Sequence, residues 1–211
     1  MMTSFCRSIV CLSILLISIP AHAQWVQTGG PEGASVDCFV VSPPSGGTVG
    51  ATFLAGTVTG GVIRSTDNGK SWNAVNSGLP KASPMWIRGL AISASDGGKN
   101  LFAGLADGVF RSTNGGASWS AASAGLTNTN VIDLAVVGTS LFAGTSAGIF
   151  VSTNNGENWS AANKGLISLS VSCLLAAGSR IFAAFNLPDG GVFLSTDNGT
   201  SWSPIGVMGK S

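Results

Sequence analysis

One eight-residue pattern, returning four times, restricts this chain more than any other feature. Ser65-Thr66-Asp67-Asn68-Gly69-Lys70-Ser71-Trp72 recurs as Ser112-Thr113-Asn114-Gly115-Gly116-Ala117-Ser118-Trp119. It returns as Ser152-Thr153-Asn154-Asn155-Gly156-Glu157-Asn158-Trp159 and as Ser195-Thr196-Asp197-Asn198-Gly199-Thr200-Ser201-Trp202. The closing tryptophans are spaced 47, 40 and 43 residues apart. Units of this length cannot bury an apolar face alone, so stability has to come from stacking each unit on the next.

The period matches a four-stranded propeller blade, for which ~40–50 residues per repeat is typical. The third unit reads as strand A over Val131 to Val137, strand B over Ser140 to Gly144, and strand C over Ile149 to Thr153, with strand D starting at Trp159. Gly60-Gly61, Asp107-Gly108, Ala147-Gly148 and Gly190-Gly191 stand at the B–C junctions, where tight hairpins need residues that tolerate positive φ. Thirty glycines and no long amphipathic helical pattern agree with an all-β chain. The expected fold is therefore an all-β propeller domain over residues 24–211, with blades at about 35–80, 81–127, 128–168 and 169–207.

Each position of the octapeptide has a mechanical reading. The third residue (Asp67, Asn114, Asn154, Asp197) can accept bonds from nearby backbone N–H groups and hold the turn, next to the opening serines Ser65, Ser112, Ser152 and Ser195. Gly69, Gly116, Gly156 and Gly199 take a strained backbone position. Trp72, Trp119, Trp159 and Trp202 bury a large ring beside or between blades. This S-x-[DN]-x-G-x-x-W pattern closely resembles the BNR/Asp-box of sialidases, sortilin-type receptors, xyloglucanase-type glycosidases and photosystem II assembly factors. The resemblance covers nearly all of the chain after its leader. It implies a β-propeller in which the box is a folding element away from the working site, and such folds host many unrelated activities.

The first 23 residues read as a secretory signal peptide. Arg7 supplies the charge, Ile9 to Ile19 the apolar run, and Pro20-Ala21-His22-Ala23 a cleavage site before Gln24. The run is short of the ~20 residues that span a bilayer, so no stable membrane insertion is expected. The short leader and light charge point to a bacterial protein that is secreted, periplasmic or on the cell surface. Next, Trp25-Val26-Gln27-Thr28-Gly29-Gly30-Pro31 resembles the D segment that begins at Trp72. Propellers often close by completing one blade from both termini. Here a D strand is followed by four complete units, with no final A-B-C. A fragment of a larger propeller is the expectation. A closed four-bladed ring with a spare strand, and an open arc completed by another chain through its blade edges, are the alternatives.

Inventory then removes most chemistry. After cleavage, nine basic residues balance nine acidic ones, which argues against the clustered cations that nucleic acid requires. The only histidine, His22, leaves with the leader, so Ser-His-Asp and Cys-His schemes and histidine-bearing zinc sites are excluded. There is no tyrosine, the nucleophile of sialidases, and Arg64, Arg88, Arg111 and Arg180 form no evident cluster for a carboxylate. Arg64 and Arg111 share a repeat position and read as strand-surface residues. The Asp-Asn-Gly turns offer fewer oxygens than the about six to eight that calcium takes. No metal and no cofactor is expected.

Asp37 and Asp133 are the acidic pair nearest to a propeller channel. Aligning the units sets Asp133 level with Cys38, Gly89 and Cys173, and Asp37 one residue earlier, on the opposite face of a regular strand. Cys38 and Cys173 have two readings. One is a disulfide stapling a closed four-blade ring, which needs Cα atoms within ~7 Å. The other is a pair of buried free thiols. Trp86 stands outside the repeat, near Pro84, and is the aromatic expected to be an exposed contact. The reading that results is a non-catalytic extracytoplasmic module binding a protein or glycan through loops such as Lys81 to Trp86 and Asn186 to Asp189. Its rivals are a fragment of a glycoside hydrolase lacking part of its site, and a structural domain of a larger surface protein.

Overall fold

Short apolar runs separated by turn residues leave each unit little choice but a hairpin meander. The structure, a computed structural model, describes residues 30, 35–42, 51–81, 84–93, 100–185 and 191–205. The leader, most of the Trp25 to Pro31 run and the Asn186 to Asp189 loop lie outside these residues, as do positions 82–83.

The first unit contains β1 (Val36–Ser42), β2 (Thr52–Thr57), β3 (Val62–Ser65) and β4 (Asn73–Ala74). The second contains β5 (Gly89–Ile92), β6 (Leu101–Leu105), β7 (Gly108–Ser112) and β8 (Ser120–Ala121). The third contains β9 (Val131–Val137), β10 (Ser140–Thr145), β11 (Gly148–Ser152) and β12 (Ser160–Ala161). The fourth contains β13 (Val171–Ala177), β14 (Arg180–Phe185), β15 (Val192–Ser195) and β16 (Ser203–Pro204). Each unit is one four-stranded antiparallel sheet with its strands in chain order, which is the blade expected from the repeat.

The blades pack face to face, and the inner strands form a continuous series, β1 on β5, β5 on β9 and β9 on β13. Three apolar clusters hold them, one at each junction. Leu54 and Val62 meet Ile87, Leu90 and Trp119 between the first two blades. Phe102 and Val109 meet Leu134 and Trp159 at the next junction, and Phe142 and Ile149 meet Leu174 and Trp202 at the last. Among the described residues, β13 does not go on to pack against β1 in the same way. The four blades therefore form an open arc with three junctions, not a closed four-bladed ring, and the architecture is that of a partial β-propeller.

The octapeptide turns are closed internally. In all four, the opening serine is buried and its Oγ accepts the glycine N–H at 2.8–2.9 Å while donating to the third-position side chain at 2.8–2.9 Å. The third-position oxygen in turn accepts the backbone N–H just before the tryptophan, at 2.9–3.0 Å. The glycines sit at φ between 79° and 87°, the left-handed region that penalises a Cβ. Arg64 and Arg111, read from the sequence as strand-surface residues, also reach across a junction. Each guanidinium donates to a carbonyl in the next blade's turn, Gly115 at 2.8 Å and Asn155 at 3.1 Å.

Candidate functional site

The inner strands are not regular. Pairing of β1 with β2 skips a residue between Val36 and Cys38, pairing of β13 with β14 skips one between Val171 and Cys173, and β9 does the same beside Asp133. A bulge inserts an unpaired residue and re-aims the strand. The inserted residues are Asp37, Ile132 and Ser172, and Arg88 precedes the equivalent paired position in β5. All four line one hollow of about 470 Å³ where the inner strands converge, together with Cys38, Trp86 and Asp133. The bulge corrects the expectation that Asp37 and Asp133 face opposite ways. A regular strand would separate them, but the extra residue brings both to the same hollow.

The two carboxylates nevertheless have different tasks. Asp133 Oδ1 accepts the N–H of Leu134 and Oδ2 that of Leu174, both at 2.8 Å, so its carboxylate clips β9 to β13. Burial pushes its pKa up, while those two bonds oppose the rise. Asp37 is exposed and accepts the Trp86 indole N–H through Oδ2 at 2.7 Å. The Arg88 guanidinium lies 4.4 Å from the centre of the Trp86 ring, a cation–π arrangement, and donates from Nη1 to Asn130 Oδ1 at 2.6 Å. Its Nε is buried with no hydrogen-bond partner among the described residues. Trp86 itself stays 40% exposed. The arrangement holds an aromatic surface in place at the hollow's mouth, beside a cation with donor capacity left over.

Cys38 and Cys173 are both free thiols. Cys38 is half-buried and donates weakly from Sγ to the Ile87 carbonyl across the first junction at 3.6 Å, and burial pushes its pKa up to about 12. Cys173 occupies the same strand position but has no following blade to cover it among the described residues, and is exposed. The staple of a closed ring is thus not formed, and of the two thiols expected to be buried, Cys173 is not. Asp67 and Asp197 are held at about 2, chiefly by side-chain bonds from Ser71 and Ser201. Their oxygens serve their own turns. Among the described residues no three His, Cys, Asp or Glu side chains gather as metal ligands would.

The sequence singled out Trp86, Asp37 and Asp133, and the structure brings all three to the hollow. It missed Arg88, which was weighed only as part of a carboxylate clamp. The signal was available: Arg88 stands at the same offset before the aligned position as Asp37.

Comparison with known proteins agrees with this architecture. The BNR/Asp-box repeat model matches residues 150–161 and 193–204. No curated protein sequence matches the chain. Among solved structures, the GH74 xyloglucanase from Xanthomonas campestris superposes with a TM-score of 0.64 at 20% identity, covering 86% of this chain and 32% of that one. The extracellular domain of BT4673 from B. thetaiotaomicron gives 0.61 at 16% identity over 89% of this chain and 24% of its own length. YCF48 bound to D1 peptide gives 0.55 at 17% identity, covering 72% and 50%. The chain spans about a third or less of the first two, so the likeness is one of fold. The chain thus carries BNR/Asp-box repeats at residues 150–161 and 193–204 and shares the β-propeller fold of these structures.

Proposed function

We propose that this chain is a non-catalytic, extracytoplasmic binding module, exported from a bacterium by the leader at residues 1–23, that takes a glycan or peptide at the mouth of its central hollow. The observation that carries this reading is the exposed Trp86 ring, fixed by Asp37 at its N–H and by Arg88 at its face. An indole held in one orientation offers contact area with little ordering cost, and its neighbours supply polar contacts at the rim. Similar propellers cover both ligand classes, since one is a xyloglucanase and another was solved with a peptide. Titration with xyloglucan oligosaccharides and with unstructured peptides, followed by tryptophan fluorescence, tests the proposal. Binding in the native chain should be lost in Trp86→Ala, whose thermal melt stays cooperative. Binding that survives Trp86→Ala would remove the hollow's mouth as the site.

A glycosidase reading has one specific observation in its favour, the convergence of Asp37 and Asp133 on the same hollow. Against it, both Asp133 oxygens are engaged by backbone N–H groups, and Asp37 is engaged by Trp86. Release of reducing ends from xyloglucan, abolished by Asp37→Asn or Asp133→Asn, would replace the binding proposal with this one.

A further inference from the structure

Among the described residues the arc ends in two bare faces that are chemically the two halves of its own junctions. The leading face of every blade carries the same positions: Val36 and Phe39 in the first match Val131 and Leu134 in the third and Val171 and Leu174 in the fourth. The later pairs are buried, because the preceding blade covers them. Phe39 is 50% exposed where Leu134 is 6%. At the other end, Leu175 is 60% exposed where its third-blade counterpart Ala135 is 7%. Val192 and Ile205 are likewise open where Ile149 and Ala162 are buried.

The polar pattern matches as well. At each internal junction the box tryptophan donates its indole N–H to a carbonyl of the preceding blade: Trp119 to Val75, Trp159 to Ala122 and Trp202 to Ala162, each at 2.8 Å. Trp72 occupies the same place in the first blade, and its buried Nε1 has no partner among the described residues. The acceptor's counterpart in the fourth blade is Ile205. Its N–H bonds to Val192 as Val75 bonds to Val62, Ala122 to Val109 and Ala162 to Ile149. One end of the chain thus lacks the acceptor that the other end carries.

We infer that this chain associates head to tail with a second copy of itself, the fourth blade of one seating on the first blade of the other and Trp72 Nε1 donating to the partner copy's Ile205 carbonyl. The contact repeats a junction the molecule already makes three times. Such a heterologous contact can close or extend. Two copies joined at both ends would leave no face bare, with eight blades, within the ~4–8 usual for propellers. A second copy covers Phe39 at one end and Leu175 and Val192 at the other at once.

Sedimentation of the exported full chain over a wide concentration range tests this. The native chain should associate into a pair or a longer array. Phe39→Glu and Leu175→Glu should each raise the dissociation constant by about 30-fold or more, as loss of a central contact does. Both residues are exposed in the single chain, so folding is spared, and a cooperative melt verifies that. The decisive sample mixes the two variants. Each retains the face the other has lost, so the mixture should regain one junction and sediment as a two-copy species. A monomer at every concentration overturns the inference. So does association indifferent to either charge, or a mixture that stays monomeric.

Discussion

The box turns and the central hollow are built from the same four blades by opposite rules. Every box repeats its serine, threonine, glycine and tryptophan at the same spacing, and its serine and third-position Asp or Asn find their partners within the turn. The hollow takes one residue from the same strand position of each blade, and they are Asp37, Arg88, Ile132 and Ser172, no two alike. One of them keeps an unpaired buried donor, and beside it a large ring stands open. Repetition marks what the scaffold needs everywhere. Departure from it, at a position where scaffold packing makes no demand, is where recognition can be placed.

The contrast breaks most visibly at a box tryptophan. Trp159 is buried in the second junction, and its N–H bonds to Ala122. Trp159→Ala should cost about 3–5 kcal/mol, the range for an aromatic removed from a core. Chemical denaturation of the variant checks this. A loss below about 1 kcal/mol would mean that the blades are held by their strands and not by the box rings.

Asp133 sharpens the comparison, because it lines the hollow yet behaves as scaffold. Asp133→Ala strands the N–H groups of Leu134 and Leu174, and a buried donor left unsatisfied costs about 1–3 kcal/mol. Asp133→Asn keeps one acceptor oxygen and should recover part of that loss. The test is whether the amide protons of Leu134 and Leu174 exchange faster in the alanine variant than in the asparagine one.

Legibility followed the same division. The strands of the third unit were readable to within a residue or two, since alternation, glycine turns and a recurring tryptophan all reported one period. The hollow was only half readable. Trp86 announced itself by standing outside the repeat, but placing Asp37 depended on a bulge, and alternation counting presumes a strand without one. Strand counting points to a partial propeller, and the four blades with three junctions agree with it. The pairing of Cys38 with Cys173 was weighed on a ring closure that the arc does not make, and no spacing in the sequence shows whether β13 reaches β1.

Acid separates the boxes from one another. Asp67 and Asp197 are held at about 2 in the folded chain, below the ordinary 3.8. A depressed carboxylate contributes stability that is present above its unfolded pKa and lost as pH falls through the folded one, here from about 4 down to 2. The second and third boxes carry Asn114 and Asn154, which do not titrate. Between those pH values, amide exchange at Ser71 and Ser201 should accelerate while Ser118 and Asn158 hold. Equal acceleration at all four would show that acid acts on the whole arc and not on its acidic turns.

The smallest effect on stability is expected at the residue given the largest role in binding. Trp86 lies outside the buried core, and its N–H bond goes to an exposed carboxylate. Trp86→Ala should therefore shift stability by no more than about 0.5 kcal/mol, as for most surface substitutions. Asp37→Asn keeps an acceptor for the indole and should do less still. A Trp86→Ala variant as unstable as Trp159→Ala would mean that the ring supports the first junction through Arg88 and Asn130. The hollow would then be another part of the scaffold, and the division between repeated and unrepeated positions would lose its functional meaning.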